Sequence, residues 1–120
     1  FQAIQHMIAV IASETAAAQA ASGLALRAAD QDAIGIAPGA AKVRASMAAS
    51  RVAGLAHEVH GAIGVTDEYA LHYLTRRLWQ WRDEFGTEQL WSERIGRAAI
   101  AAGATGLWDL VVSAGQLRRQ

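Results

Sequence analysis

Hydrophobic and polar positions recur every three or four residues along most of the chain, which is typical of amphipathic helices. No segment alternates strictly between polar and apolar residues as a half-buried strand does. The pattern predicts a first helix over about 2–29 and a second over about 38–60, with 30–39 as the connection between them. Pro38 fits the first turn of the second helix, where its missing N–H is not needed.

The segment Gly61-Ala62-Ile63-Gly64 ends the second predicted helix, because glycine just past a helix end tolerates the left-handed conformation. A third helix begins near Thr66 or Asp67, since either side chain can cap it. Gly86 breaks this third helix, and Thr87 caps a fourth. Four helices joined by short connections predict an all-α fold, an up-down four-helix bundle with one domain over 1–120.

Each predicted helix has one apolar stripe, which we expect to be buried. On the first helix the stripe is Ile4, Ile8, Ile11, Thr15, Ala18, Ser22 and Ala25. On the second it is Ala45, Ala48, Val52, Leu55, Ala56 and Val59. On the third it is Leu71, Leu74, Leu78, Trp81 and Phe85, and on the fourth Trp91, Ile95, Ala98 and Ala102.

Composition narrows the possible functions. Alanine fills nearly a quarter of the 120 positions, and there is no cysteine, which excludes disulfides and thiolate metal ligands. Eleven basic residues balance eleven acidic ones, so we expect no nucleic-acid partner. No uninterrupted apolar run reaches the roughly 18 residues of a membrane span, so we expect no membrane insertion. The absence of cysteine fits a reducing compartment, and we expect a cytoplasmic location.

Two groups of residues invite a ligand. His57 and His60 lie three residues apart on a predicted helix, but the Glu-x-x-His spacing of helical di-metal sites is lacking, so we predict no metal site. Gly61 and Gly64 follow a helix rather than a strand, which excludes the phosphate loops of Rossmann and P-loop folds. The exposed backbone N–H groups there remain suited to an anion.

Three carboxylates, Asp83, Glu84 and Glu88, lie close to Gly86 with arginines nearby. Paired carboxylates do acid–base chemistry when burial separates their pKa values. A surface ion network is the plainer interpretation, and the pattern favours it.

Several segments, in the expected order, resemble the acyl-CoA dehydrogenase family in its C-terminal helical domain. The sequence AHEVHGAIGVTDEY at 56–69 is similar to the family's Gln-x-x-Gly-Gly-x-Gly-aromatic stretch. FQAIQ at 1–5 is similar to the start of a long family helix, and LTRR at 74–77 to an arginine-bearing one. FGTEQ at 85–89 is similar to the Gly-Thr-x-Gln motif, and IGR at 95–97 to the helix after it.

Members of this family dehydrogenate acyl-CoA thioesters between Cα and Cβ with FAD, in fatty acid metabolism. A carboxylate removes the α-proton and a hydride passes to the flavin. The resemblance implies an acyl-CoA substrate, an electron-transferring flavoprotein as acceptor, and a homo-oligomer, a dimer or tetramer, with the C-terminal domain at its core. The helical and β domains that precede it in the family are absent from these residues, so we expect the chain alone to be inactive and not to bind flavin tightly.

The resemblance also assigns cofactor contacts. It assigns the FAD of a neighbouring subunit to Glu58, Gly61, Ala62 and Gly64. It assigns the flavin of the same subunit to Thr87 and Gln89. A glycine backbone lets a pyrophosphate approach closely, and a helix N-terminus favours an anion.

The chain departs from the family pattern at three positions. Glu58 stands where the family has Gln, and Ala62 replaces a Gly. Phe85 occupies the position at which many members carry the catalytic Glu, and it cannot accept a proton. Glu84 is a weak substitute, since one residue along a helix is a rotation of about 100°. No catalytic residue is therefore assigned: either the base lies on a preceding helix, or the parent is a subunit or relative without one.

Two other functions stay open. One is a helical interaction module without a cofactor, and the other is a flavin monooxygenase-like relative of the same fold.

Overall fold

The computed structural model describes residues 2–30, 32, 34–61 and 70–113 of the chain. The described elements are the helices α1 (Gln2–Ala28), α2 (Ile36–His60), α3 (Leu71–Asp83) and α4 (Glu88–Ser113). No strand occurs in these ranges, which confirms the predicted all-α class.

α2 is the central helix, because α1, α3 and α4 each pack against it. Contacts among those three helices are marginal, and the molecule is elongated, 51 × 29 × 29 Å. Among the residues that the structure describes, the buried apolar side chains all lie on α2: Ile36, Ala37, Ala41, Ala48 and Ala53. A closed up-down bundle, in which every helix packs on two neighbours, is not confirmed and stays a prediction.

The start of α2 depends on Asp32. Its carboxylate accepts hydrogen bonds from the backbone N–H of Gly35 at 2.8 Å and of Ala37 at 2.6 Å. α2 therefore begins before Pro38, and Gly35 precedes it in the left-handed conformation, with φ of 78°. Burial alone raises the pKa of Asp32, but backbone hydrogen bonds from residues 34–37 outweigh it and lower the pKa below its usual value.

The predicted stripe of α1 is only partly right: Ile11, Ala18 and Ala25 are half-buried, but the half-buried face is rotated away from the other members. The exposed members of the predicted stripe are Ile4, Ile8, Thr15 and Ser22. The half-buried positions that recur at steps of three and four are Met7, Val10, Glu14, Ala17, Ala21, Leu24 and Ala28. Glu14 explains the rotation, because its carboxylate accepts hydrogen bonds from Arg44 and, at 3.2 Å, from Arg51, both on α2.

The predicted seam of α3 is only partly right, since Leu71 and Leu78 are half-buried but its other members are exposed. Leu74 is 63% exposed and Trp81 is 52% exposed, whereas His72 and Thr75 are buried. α3 ends at Asp83, so Phe85 lies beyond it. The physical reason is a polar contact with α2: the Thr75 hydroxyl lies 2.9 Å from Nε2 of His57.

α4 agrees with its prediction. Trp91, Ile95, Ala98 and Ala102 are all half-buried, and they face α2. The helix is interrupted at Gly103, whose φ of 67° and ψ of 179° are not helical.

By length and composition alone, two helical stretches of the described residues are apolar enough to cross a membrane. One is Gln2–Ala28, and the other lies within Leu71–Ser113, where the turn between α3 and α4 falls. This is weak evidence, because core helices of soluble proteins pass the same test. The absence of membrane insertion stays a prediction.

Candidate functional site

The loop at residues 84–87 joins α3 to α4, and we call it the α3–α4 corner. Phe85 has φ of 58° and Gly86 has φ of 96°, so two successive residues are left-handed. Such a conformation suits glycine but is unusual for a phenylalanine. Thr87 then caps α4, because its Oγ1 accepts a hydrogen bond from the backbone N–H of Leu90 at 3.2 Å.

Trp91 links this corner to α2, because it contacts both. Its indole N–H donates a hydrogen bond to the carbonyl oxygen of Phe85 at 3.0 Å. A Cβ added at Gly86 would lie 2.7 Å from the indole nitrogen, and one added at Gly39 of α2 would lie 2.8 Å from ring atom Cε3. Two glycines thus make room for the ring, over which the Arg94 guanidinium lies 5.3 Å from the centroid.

An open cleft with a volume of about 360 Å³ lies beside the corner. It is lined by Arg82, Asp83, Thr87, Glu88, Gln89 and Ser92. The two residues assigned to the flavin of the same subunit, Thr87 and Gln89, therefore share one cavity at the start of α4. This position favours an anion, while Asp83 and Glu88 bring negative charge and Arg82 positive charge.

The two residues considered for the catalytic position lie outside the cleft lining. Phe85 is 92% exposed, and Glu84 is exposed in an extended backbone conformation. Asp83 and Glu88 are the carboxylates that line the cleft. Position 85 therefore presents an aromatic ring to the surroundings and no acid–base group.

The residues assigned to a neighbouring subunit's FAD lie at the C-terminal end of α2. Gly61 ends the helix with φ of 62°, and its backbone N–H donates to the carbonyl oxygen of Glu58. The Glu58 side chain is exposed. Neither residue lines the corner cleft. Ala62 and Gly64 lie outside the described residues, as do the predicted caps Thr66 and Asp67.

A buried polar cluster lies where α3 packs on α2. Thr75 donates its hydroxyl hydrogen to the carbonyl oxygen of His72 at 3.2 Å, so its oxygen accepts from Nε2–H of His57. The His57 ring stacks on Trp79 with centroids 6.5 Å apart. In the described ranges, no three histidine or carboxylate side chains gather as metal ligands do.

Comparison with known families decides the identity of the domain. The family model for the acyl-CoA dehydrogenase C-terminal domain matches residues 1–100. The chain belongs to this family. No curated protein and no solved structure matches it significantly.

Within this acyl-CoA dehydrogenase domain, sequence reasoning missed the residues that build the corner. Trp91 was predicted only as part of a buried stripe, and Gly39 was placed in a connection. A glycine near a helix start, followed much later by a lone tryptophan, gives little warning of their contact. Asp32 was detectable in principle, because an aspartate just before a helix commonly caps it.

Proposed function

We propose that this chain is the C-terminal domain of an FAD-dependent acyl-CoA dehydrogenase that catalyses α,β-dehydrogenation of an acyl-CoA thioester. The domain contributes FAD contacts and part of the oligomer core. Its membership of the family carries the proposal. The common cleft of Thr87 and Gln89 supports it, because the two residues that the family motif assigns to the flavin share one cavity.

Two residues at the corner cleft, Thr87 and Gln89, can form hydrogen bonds with a flavin. Thr87 Oγ1 accepts from Leu90, and this cap does not use the hydroxyl hydrogen, which can donate to a ligand. Gln89 is exposed on the first turn of α4 and carries both an amide donor and an amide acceptor. When bound, FAD supplies the hydride acceptor. The chain's own residues bind and orient it at the helix start.

Glu58 does not fit a pyrophosphate in its ionised form. Its carboxylate is exposed and repels a second anion at short range. We infer that the neighbouring FAD contact is made by the backbone at Gly61, with the Glu58 side chain directed elsewhere.

The catalytic base is not at position 85. Phe85 has no titratable group, so a carboxylate from another part of the protein removes the α-proton, or the parent subunit has no base. The role of Phe85 in either case is to present an apolar surface at the corner.

An outward apolar face on α3 supports the homo-oligomer. Tyr73, Leu74 and Trp81 are exposed, together with Phe85 beyond the helix. Exposed apolar groups of this kind mark interfaces when they lie together. We also propose an electron-transferring flavoprotein as the acceptor and a cytoplasmic location.

The test is anaerobic titration of the full-length flavoprotein with saturated acyl-CoA thioesters of different chain length. Bleaching of the oxidised flavin absorbance, with enoyl-CoA formed in equal amount, is the expected result. A protein that keeps its flavin oxidised under nitrogen but oxygenates a non-CoA substrate in air would contradict the proposal in favour of the monooxygenase-like relative. A full-length protein without flavin would favour the interaction module.

A further inference from the structure

Trp91 bonds to both ends of the α3–α4 corner. Its indole N–H donates to the carbonyl oxygen of Phe85 at 3.0 Å, and its backbone N–H donates to the carbonyl oxygen of Thr87 at 3.2 Å. One residue therefore brackets the left-handed pair at 85–86. The bond to Thr87 is the first i→i−4 bond of α4, which any residue with a backbone N–H makes, so the indole N–H is the restraint that is specific to tryptophan.

The corner needs such a restraint. A bulky residue with positive φ is disfavoured by contact of its Cβ with the backbone. Phe85 gains nothing from burial in exchange, because its side chain is 92% exposed. Strained residues persist when the surrounding structure over-determines their conformation, and they are concentrated at functional sites.

The ring of Trp91 is itself fixed independently of the corner. It lies against Gly39 on α2, where no Cβ would fit, and the guanidinium of Arg94 lies over it. The start of α2 is in turn fixed by Asp32, which accepts from the backbone of Gly35 and Ala37. The indole N–H is thus held at a defined point by a helix that does not belong to the corner.

We propose that Trp91 is a positioning residue for the α3–α4 corner, whose indole N–H fixes the orientation of the Phe85 ring and the Thr87 hydroxyl. The identity of the site rests on the proposed function, whereas the restraint rests on the hydrogen bonds alone. Trp91 does not touch the reacting atoms. It acts through residues 85–87.

A simpler role, in which Trp91 only packs α4 on α2, predicts a different response to Trp91→Phe. Phenylalanine removes the N–H and also lacks the atoms Cε3 and Cζ3 that lie against Gly39, so some loss of packing accompanies the loss of the hydrogen bond. A purely packing role makes this variant behave like a mild core change, with no specific effect at the corner. Trp108→Phe is the matched control, because Trp108 lies on the same helix and is 72% exposed.

The first measurement is amide hydrogen exchange in the full-length protein. It is read at the backbone N–H of Leu90, which donates a hydrogen bond to Thr87 Oγ1. Loss of one hydrogen bond from the corner raises this rate about fivefold in Trp91→Phe, with no change in Trp108→Phe. Equal exchange in both variants would overturn the inference.

The second measurement is steady-state kinetics with an acyl-CoA thioester. We expect kcat of Trp91→Phe to fall about fivefold at unchanged KM and flavin content, and Trp108→Phe to match the wild type. Unchanged kcat in an active enzyme would contradict the positioning role. If the wild type bleaches with no acyl-CoA, the proposed function fails, and the exchange measurement decides the restraint by itself.

Discussion

Trp81 on α3 and Trp91 on α4 both belong to predicted apolar stripes. Of the two side chains, Trp91 is packed against the rest of the molecule and Trp81 is largely exposed. Trp91 occupies space that Gly39 and Gly86 leave open, and its N–H has a partner. Trp81 is half exposed, with the Arg77 guanidinium 5.7 Å from its ring centroid. It borders a gap of about 130 Å³ between α2 and α3, which its ring does not fill.

The difference shows that the partner surface decides which face of a helix is buried. α2 offers Gly39 to α4, and a large ring fills that space. To α3 it offers His57, and α3 turns Thr75 toward that imidazole at 2.9 Å, while Leu74 stays exposed. Tyr73, Leu74 and Trp81 are left outward, where the proposed oligomer or the rest of the protein can cover them.

The largest expected effect comes from filling the space beneath Trp91. Gly39→Ala places a methyl group 2.8 Å from Cε3 of Trp91 and 3.3 Å from Cδ1 of Ile95. Overpacking of this kind destabilises by about 2 kcal/mol. Urea denaturation of the full-length protein measures the loss in the free energy of unfolding.

Gly54→Ala is the control on the same helix. A Cβ at Gly54 meets nothing within 4 Å, so alanine stabilises by about 0.5 to 1 kcal/mol through its higher helix propensity. If both substitutions stabilise, the packing of Trp91 against α2 is not as described.

A smaller effect on the free energy of unfolding distinguishes Thr75, which faces α2, from Leu74, which is exposed. Thr75→Val removes the acceptor of the buried His57 N–H, and we expect a loss of about 1 to 2 kcal/mol. Leu74→Ser, although it replaces a large apolar residue, stays within about 0.5 kcal/mol because Leu74 is exposed. Chemical denaturation of a dissociated, monomeric form gives both values. A larger loss for Leu74→Ser than for Thr75→Val would contradict this orientation of α3 and would favour the predicted seam.

The smallest effect is a pH dependence of the free energy of unfolding, which arises from Asp32 at the start of α2, the helix against which Trp91 packs. The pKa of Asp32 is lower in the folded state, so its contribution is present above the unfolded pKa of about 3.9 and is lost as the pH falls through the folded value. Asp32→Asn loses about 1 kcal/mol at neutral pH, because an amide keeps only one of the two acceptor oxygens that Gly35 and Ala37 use. This difference from the wild type narrows in unfolding measurements below about pH 4. A constant difference between pH 7 and pH 3 would contradict the capping role.

Much of the fold was predictable from local patterns. Helix α1 begins where predicted, α2 ends where predicted, and α4 has both its cap at Thr87 and its stripe from Trp91. The buried faces of α1 and α3 were not predictable in the same way. They depend on the contacts of Glu14 with Arg44 and of Thr75 with His57, which join residues far apart in the sequence and leave no mark in the periodicity of one helix.

The candidate site was only partly predictable. The family motif indicated Thr87 and Gln89, and both line the cleft. The left-handed conformation of Phe85 was not detectable, because nothing in a phenylalanine indicates positive φ. The hydrogen bond that restrains it comes from Trp91, whose place depends on a glycine of a distant helix.

The most direct test of the proposed function is the flavin content of the full-length protein beside that of these 120 residues expressed alone. We predict a yellow full-length protein with about one FAD per chain, as the family's flavin chemistry requires, and a colourless isolated chain. A colourless full-length protein would contradict the assignment to flavin-dependent dehydrogenation. An isolated chain with stoichiometric FAD would contradict the expectation that it needs other domains to hold the cofactor.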